Sequence, residues 1–142
     1  MHRARYRLAY ASAVALGILA APAHADEPAP LKATMTCDRA AEPGRVKCSV
    51  EARVDASRTL AWGDVAILQL PEFATALKGR IGPSDATARE ATSTKWAFGL
   101  VAKKAGQGEA RARVRVVACE AAQPSKCTPL TIEVRAMLSV GN

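Results

Sequence analysis

Histidine is absent from this 142-residue sequence beyond position 24, and this absence removes several classes of chemistry. The two histidines, His2 and His24, both lie in an N-terminal segment with the features of a removable export signal. Without imidazole the rest of the chain cannot build a Ser-His-Asp triad, a Cys-His pair or a histidine zinc site. It also lacks paired C-x-x-C spacing, a nucleotide-binding glycine loop and an EF-hand loop. We therefore expect no metal and no cofactor, and a non-enzymatic role is favoured over catalysis.

The N-terminus has the order of regions found in secretory signals. Arg3, Arg5 and Arg7 precede an apolar run over residues 8–21, and Ala23-His24-Ala25 fits the small-x-small rule for cleavage. The sequence predicts a signal peptide at 1–25, a short lead at 26–30 and a single domain at 31–142. No later run reaches the ~20 apolar residues of a transmembrane helix, so we expect no membrane span after cleavage. The predicted location is periplasmic or secreted.

Removal of the signal leaves a mildly basic chain that is poor in aromatic residues. Residues 26–142 carry 17 Lys and Arg against 13 Asp and Glu, a net charge of +4. This mild charge is not the basic footprint of a nucleic-acid-binding domain, and aromatic residues, on which single-stranded bases stack, make up 4% of the whole chain. We therefore expect no nucleic-acid partner, but an unidentified protein or ligand outside the cytoplasm.

Apolar residues alternate with polar ones over most of the chain, as in half-buried strands. The alternating segments are 31–37, 46–54, 96–102, 110–118 and 130–140, and residues 65–70 form a further apolar run. Residues 87–93 lack an apolar pattern and are predicted to be loop. The pattern predicts an all-β fold, an immunoglobulin-like antiparallel β-sandwich of about seven strands. Its few large side chains are expected in the core: Trp62, Trp96, Phe73 and Phe98.

Four cysteines predict a disulfide-stabilised fold in an oxidising compartment. Cys37 and Cys48 fall on the inward register of neighbouring strands, and Cys119 and Cys127 fall on the outward register of two later strands. Cross-strand neighbours on one face lie within disulfide reach, so structural bonds 37–48 and 119–127 are favoured. A rival connectivity joins Cys48 to Cys119, because Trp62 between them loosely matches the Cys…Trp…Cys pattern of antibody-type domains. Both connectivities remain open at this point.

Residues 114–129, with Cys119, Cys127 and Pro129, carry a family resemblance. They resemble the late hairpin in the immunoglobulin-like N-terminal periplasmic domain of membrane thiol:disulfide interchange proteins. The resemblance implies that two cysteines on adjacent strands, followed by a proline, exchange electrons with periplasmic partners. Independently, Lys126 beside Cys127, with Arg115 and Arg135 as expected neighbours, would favour attack on this bond, whereas Glu120 opposes it.

A second candidate site is a ladder of arginines. Arg111, Arg113 and Arg115 project from one face of a predicted strand, and Arg135 is expected beside them. Such a stripe could bind anions, although Glu109 and Glu133 dilute its charge. Three interpretations result. The favoured one is an exported, non-enzymatic immunoglobulin-like module that binds or scaffolds another molecule. The alternatives are thiol–disulfide exchange at Cys119 and Cys127, and anion binding by the arginine ladder.

Overall fold

A computed structural model describes residues 29–142 of the chain. The predicted signal at 1–25 and most of the predicted lead at 26–30 lie outside the described residues. Residues 29–142 form nine strands and one 3-10 turn, Pro83–Asp85. The strands are β1 (Lys32–Cys37), β2 (Gly44–Arg53), β3 (Arg58–Gln69), β4 (Ala74–Ala76), β5 (Arg80–Ile81), β6 (Ala86–Arg89), β7 (Ser93–Ala102), β8 (Gly106–Glu120) and β9 (Cys127–Val140). No helix in this described part is long and apolar enough to cross a membrane.

The strands form two antiparallel sheets that pack face to face. The first sheet has the order β1-β2-β7-β4, with β6 also paired to β7, and the second has the order β5-β3-β8-β9. The predicted fold class, an all-β immunoglobulin-like antiparallel sandwich stabilised by disulfides, is confirmed. The structure has more than the expected number of strands because β4, β5 and β6 are short pieces of two to four residues.

Alternation of side chains places the core between the sheets. On β7 the even-numbered residues Trp96, Phe98, Leu100 and Ala102 are buried, and β8 buries its even-numbered residues from Ala110 to Ala118. Residues with period two face one side of a strand, so each strand contributes one apolar row to the same interior. Burying a side chain such as Leu100 stabilises the fold by about 1.5–3 kcal/mol. Trp96, Phe73 and Phe98 are buried as predicted.

Two predicted boundaries were wrong. Residues 86–89 form the edge strand β6 instead of a loop, and because residues 87–89 are exposed they show no apolar period. Strand β3 begins at Arg58, well before the predicted start at Val65. It contains register shifts between Leu60 and Trp62 and between Ile67 and Gln69, and each shift breaks the alternation that marks a strand in sequence.

Pro71 lies so close to Gly108 that a larger residue at position 108 should lower the stability of the fold. A Cβ on Gly108 would lie 2.7 Å from Cγ and 2.8 Å from Cβ of Pro71. A proline ring cannot rotate away, so Gly108→Ala is expected to lower the free energy of unfolding by about 1–3 kcal/mol. Gly79→Ala is the matched control, since a Cβ there meets no atom within 4 Å. Urea unfolding should show a loss for the first variant alone, and equal midpoints would contradict the packing described.

Candidate functional site

Both predicted disulfides are present. Cys37 is the register partner of Cys48 across β1 and β2, and Cys119 is the partner of Cys127 across β8 and β9. The two bonds are Cys37–Cys48 and Cys119–Cys127. The preferred pairing is therefore confirmed, and the rival bond from Cys48 to Cys119 was wrong. Each bond closes one hairpin and none joins the two sheets.

The second disulfide is less accessible than its outward register predicts. Cys127 lies exposed on the edge strand β9, but Cys119 is only 5% exposed. The difference comes from position in the sheet, because β8 has a neighbour on each side and Thr59 of β3 flanks Cys119. The expectation that both cysteines lie on an open face is thus corrected for Cys119.

The predicted positive surroundings of this bond are also largely absent. The Lys126 ammonium lies 3.0 Å from the Glu120 carboxylate, so its charge is offset. Arg135 pairs in register with Arg111 and stands eight residues along β9 from Cys127, about 27 Å at the rise of a strand. Arg115 is bound to Asp64 instead. The sequence-based reason for an activated disulfide therefore weakens, and the redox role remains a prediction.

The arginine ladder exists, and each of its members is paired with a carboxylate. Arg111 and Arg113 share Glu133 at 2.8 and 3.3 Å, and Arg135 lies 3.6 Å from Glu109. Arg115 lies 2.6 Å from Asp64. The outer face of the second sheet therefore consists of interleaved charges of both signs. An external anion would compete with these carboxylates, and anion binding by the ladder remains a prediction.

Asp64 is the buried centre of this charged face. Its side chain is 1% exposed, and its two oxygens accept hydrogen bonds from Arg115 Nε at 2.9 Å and Arg80 Nε at 2.6 Å. The Arg115 hydrogen bond is the main cause that holds the pKa of Asp64 below its usual range, with Arg80 adding to it and burial opposing it. A carboxylate bound in this way stabilises the sheet and is not free to act as a base. Sequence analysis missed Asp64, because an isolated acid in a strand gives no recognisable pattern.

Trp62 lies on the surface, contrary to the prediction that it belongs to the core. It is 39% exposed, and the Arg115 guanidinium lies 5.8 Å from the centre of its ring. Val65 is buried, and alternate residues of a strand share a face, so residues 65 and 63 point inward and Trp62 points outward. The core assignment rested on residue size instead of register, and here register was the better guide.

The first sheet carries an open groove that sequence analysis did not identify. Its volume is about 520 Å³, and it is lined by residues from the turn after β1, from β2, from the segment after β4 and from β7. These are Asp38, Arg39, Ala40, Arg45, Val46, Lys47, Leu77, Ala97, Phe98 and Gly99, which together we call the cationic groove. Its residues are up to 61 positions apart in sequence, so no local motif could have revealed it.

The cations of this groove differ from those of the ladder. Among residues 29–142, no carboxylate oxygen lies within 4.0 Å of the charged nitrogens of Arg39, Arg45 or Lys47. One acid, Asp38, lines the groove, so its charge remains positive. The chain therefore presents one sheet face with matched charges and one groove with an excess of positive charge.

An interruption in strand pairing opens the groove. Strand β4 pairs with β7 from Leu100 onward and β6 pairs with it up to Trp96, so residues 97–99 lie between the two pairings. Leu77 covers part of this gap, and its amide donates to the Gly99 carbonyl at 3.1 Å. A Cβ on Gly99 would lie 2.7 Å from Leu77 Cδ1, so the Leu77 side chain packs directly over this glycine.

Within residues 29–142, no group of three or more His, Cys, Asp or Glu side chains could hold a metal ion.

Comparison with known proteins gives structural likeness alone. No family model and no curated protein matches the chain. Among solved structures, the human CEP192 PapD-like domain 7 matches at 7% identity, covering 92% of this chain and 100% of that domain, with a TM-score of 0.38. BslA, a bacterial hydrophobin, matches at 9% identity over 77% of this chain and 93% of its own, with a TM-score of 0.34. A chain from the fibronectin-binding AAF fimbriae of enteroaggregative Escherichia coli matches at 8% identity over 78% of this chain and 98% of its own, with a TM-score of 0.32.

Proposed function

We propose that the chain is an exported, non-enzymatic immunoglobulin-like module that binds another molecule outside the cytoplasm, and that the cationic groove is its binding site. The observation that carries this proposal is an open groove whose three cations have no carboxylate partner within residues 29–142. Unpaired surface cations attract anionic partners and accelerate their association. Export is supported by the signal-like order of residues 1–25 and by two disulfides, which persist in oxidising compartments.

A binding role is favoured over catalysis by the way the charged groups are used. The exposed carboxylates of the second sheet face cationic groups on an open surface, as Glu133 does with Arg111 and Arg113. The buried carboxylate, Asp64, is held by Arg80 and Arg115. A general acid or base needs a proton that can move and a pKa near the working pH. Carboxylates held in ion pairs are therefore poorly suited to either role, which favours binding.

Site-specific crosslinking in the native host tests this proposal. A photoreactive amino acid at position 47 in the groove should give a discrete covalent adduct with exported protein. The same amino acid at position 32 is the control, since Lys32 lies at the other end of the first sheet. An adduct from position 47 alone supports the proposal. Equal crosslinking from both positions would contradict it. A product that stays in the cytoplasm with residues 1–25 still attached would also contradict it.

Thiol–disulfide exchange is the second candidate, favoured by the exposure of Cys127. Because Cys119 is buried and Lys126 is paired with Glu120, we expect the bond to behave as a structural one. In glutathione or dithiothreitol buffers with alkylation of free thiols, both disulfides should stay closed down to about −300 mV. If Cys119–Cys127 opened at a clearly less reducing potential while Cys37–Cys48 stayed closed, the exchange role would replace the binding role.

A further inference from the structure

The spacing of the groove cations narrows the class of ligand. Arg45 and Lys47 are two residues apart on β2, and both side chains are exposed on the outer face of the first sheet. Alternate residues of a strand project from the same face about 7 Å apart. The acidic side chains of an extended peptide have the same spacing when they occur at every second position. The two cations therefore match an extended acidic segment better than a single compact anion.

The floor and the far wall of the groove are apolar. On β7 the residues beside Lys47 and Ser49 are Gly99 and Ala97, and the Leu77 side chain leans over Gly99, so a peptide backbone would pass between the cations of β2 and Leu77. Leu77 forms the opposite wall and is 55% exposed. Adjacent strands are about 4.8 Å apart, so a peptide lying over β7 would have cations on one side and Leu77 on the other. Alternating acidic and apolar side chains would contact these two walls in turn.

The groove is held in place by covalent and main-chain contacts. The Cys37–Cys48 bond ties β1 to β2 next to the turn that carries Arg39. Within that turn, the Ala40 amide donates to the Ser139 carbonyl at 3.1 Å, and the Gly141 amide donates to the Ala40 carbonyl at 2.9 Å. Binding to a site that is already ordered loses less conformational entropy than binding to a flexible one.

We infer that the cationic groove binds an extended acidic segment of a partner protein. Acidic side chains at alternate positions would pair with Arg45 and Lys47, and the apolar side chains between them would pack on Leu77. This inference rests on the proposed function and adds the class of ligand. A phosphate or lipid headgroup is less well matched, because the two cations are spread along a strand instead of converging on one point.

Titration with defined peptides tests the inference. The probe is a fluorescently labelled, end-capped Glu-Leu-Glu-Leu-Glu peptide, compared with Gln-Leu-Gln-Leu-Gln and with the block sequence Glu-Glu-Glu-Leu-Leu. We expect saturable binding of the alternating acidic peptide, weaker binding of the other two, and loss of affinity as salt is added. The double variant Arg45→Glu/Lys47→Glu should lower the affinity at least about tenfold.

A matched double variant separates a specific site from general attraction. Lys32→Glu/Lys95→Glu changes the net charge by the same amount at the other end of the same sheet. There Lys32 lies opposite Arg53, and Lys95 lies opposite Glu51, in the strand register. It should keep most of the affinity. Equal losses in both double variants, or equal binding of the block and alternating peptides, would overturn the inference.

Anionic vesicles distinguish the failure of this inference from failure of the proposed function. If phosphatidylglycerol vesicles bind through Arg45 and Lys47 while the acidic peptide does not, the peptide assignment is overturned and the binding module stands. If neither probe binds and position 47 gives no crosslink in the native host, both are overturned.

Discussion

Replacing Cys37 and Cys48 together by alanine is expected to lower the free energy of unfolding by about 4 kcal/mol. Loss of a crosslink between two residues 11 positions apart in sequence accounts for about 3 kcal/mol of this. The remainder, about 1 kcal/mol, comes from the packing of Cys48, which is fully buried in the core. Because a domain of this size is stable by about 5–15 kcal/mol, the variant should lose a large part of its stability.

The other disulfide provides the comparison. Cys119→Ala/Cys127→Ala removes an 8-residue crosslink at an exposed sheet edge and should cost about 2–3 kcal/mol. Urea unfolding can be followed by fluorescence of Trp96, which is fully buried. A larger loss for the second pair than for the first would contradict the assignment of Cys48 to the core.

Arg115→Met is expected to destabilise the protein markedly at neutral pH, because it removes one of two partners from the buried carboxylate of Asp64. Methionine keeps an apolar chain against Trp62 while removing the charge that Asp64 requires. Arg113→Met is the control on the same strand. Its partner Glu133 is 41% exposed, so the loss there should be much smaller.

The pH dependence gives this prediction a separate readout. The pKa of Asp64 is lowered in the folded state, so its ion pairs stabilise the protein above the unfolded pKa, near 3.9, and this stabilisation is lost as pH falls through the folded value. The stability gap between wild type and Arg115→Met should therefore be full above about pH 5 and shrink below about pH 4. A gap that stays constant over this range would show that Arg115 acts through packing alone.

The fold was predictable because alternation and cysteine register are local signals. The buried even-numbered residues of β7 and β8 appear directly in the sequence, and the register of Cys37 and Cys48 follows from the same count. Prediction failed where a strand is irregular or exposed on both faces, as in β3 and β6. Trp62 shows a different failure, because residue size was given more weight than its position relative to Val65.

The candidate site was much less predictable than the fold. The ladder of Arg111, Arg113 and Arg115 is visible in sequence, but its neutralisation by Asp64 and Glu133 depends on which strands are neighbours. The cationic groove depends on a gap between the pairings of β4 and β6 along β7, which no alternation pattern specifies. A site assembled from several strands becomes visible only when strand order is known.

The two sheets therefore present different electrostatic surfaces. Ion pairs on the outer face of the second sheet join neighbouring strands, as Glu133 of β9 does with Arg111 and Arg113 of β8. The groove of the first sheet holds its cations without such partners in the described part of the chain. We therefore expect binding to take place on the first sheet and not at the arginine ladder.

Nuclear magnetic resonance can locate the binding surface at the level of single residues. The isotope-labelled mature domain would be titrated with the Glu-Leu-Glu-Leu-Glu peptide, and amide shifts would be followed residue by residue. The largest changes should fall on Arg39, Arg45, Lys47, Leu77 and Gly99. Changes concentrated instead at the ladder residues, Arg111, Arg113, Arg115 and Arg135, would contradict this expectation.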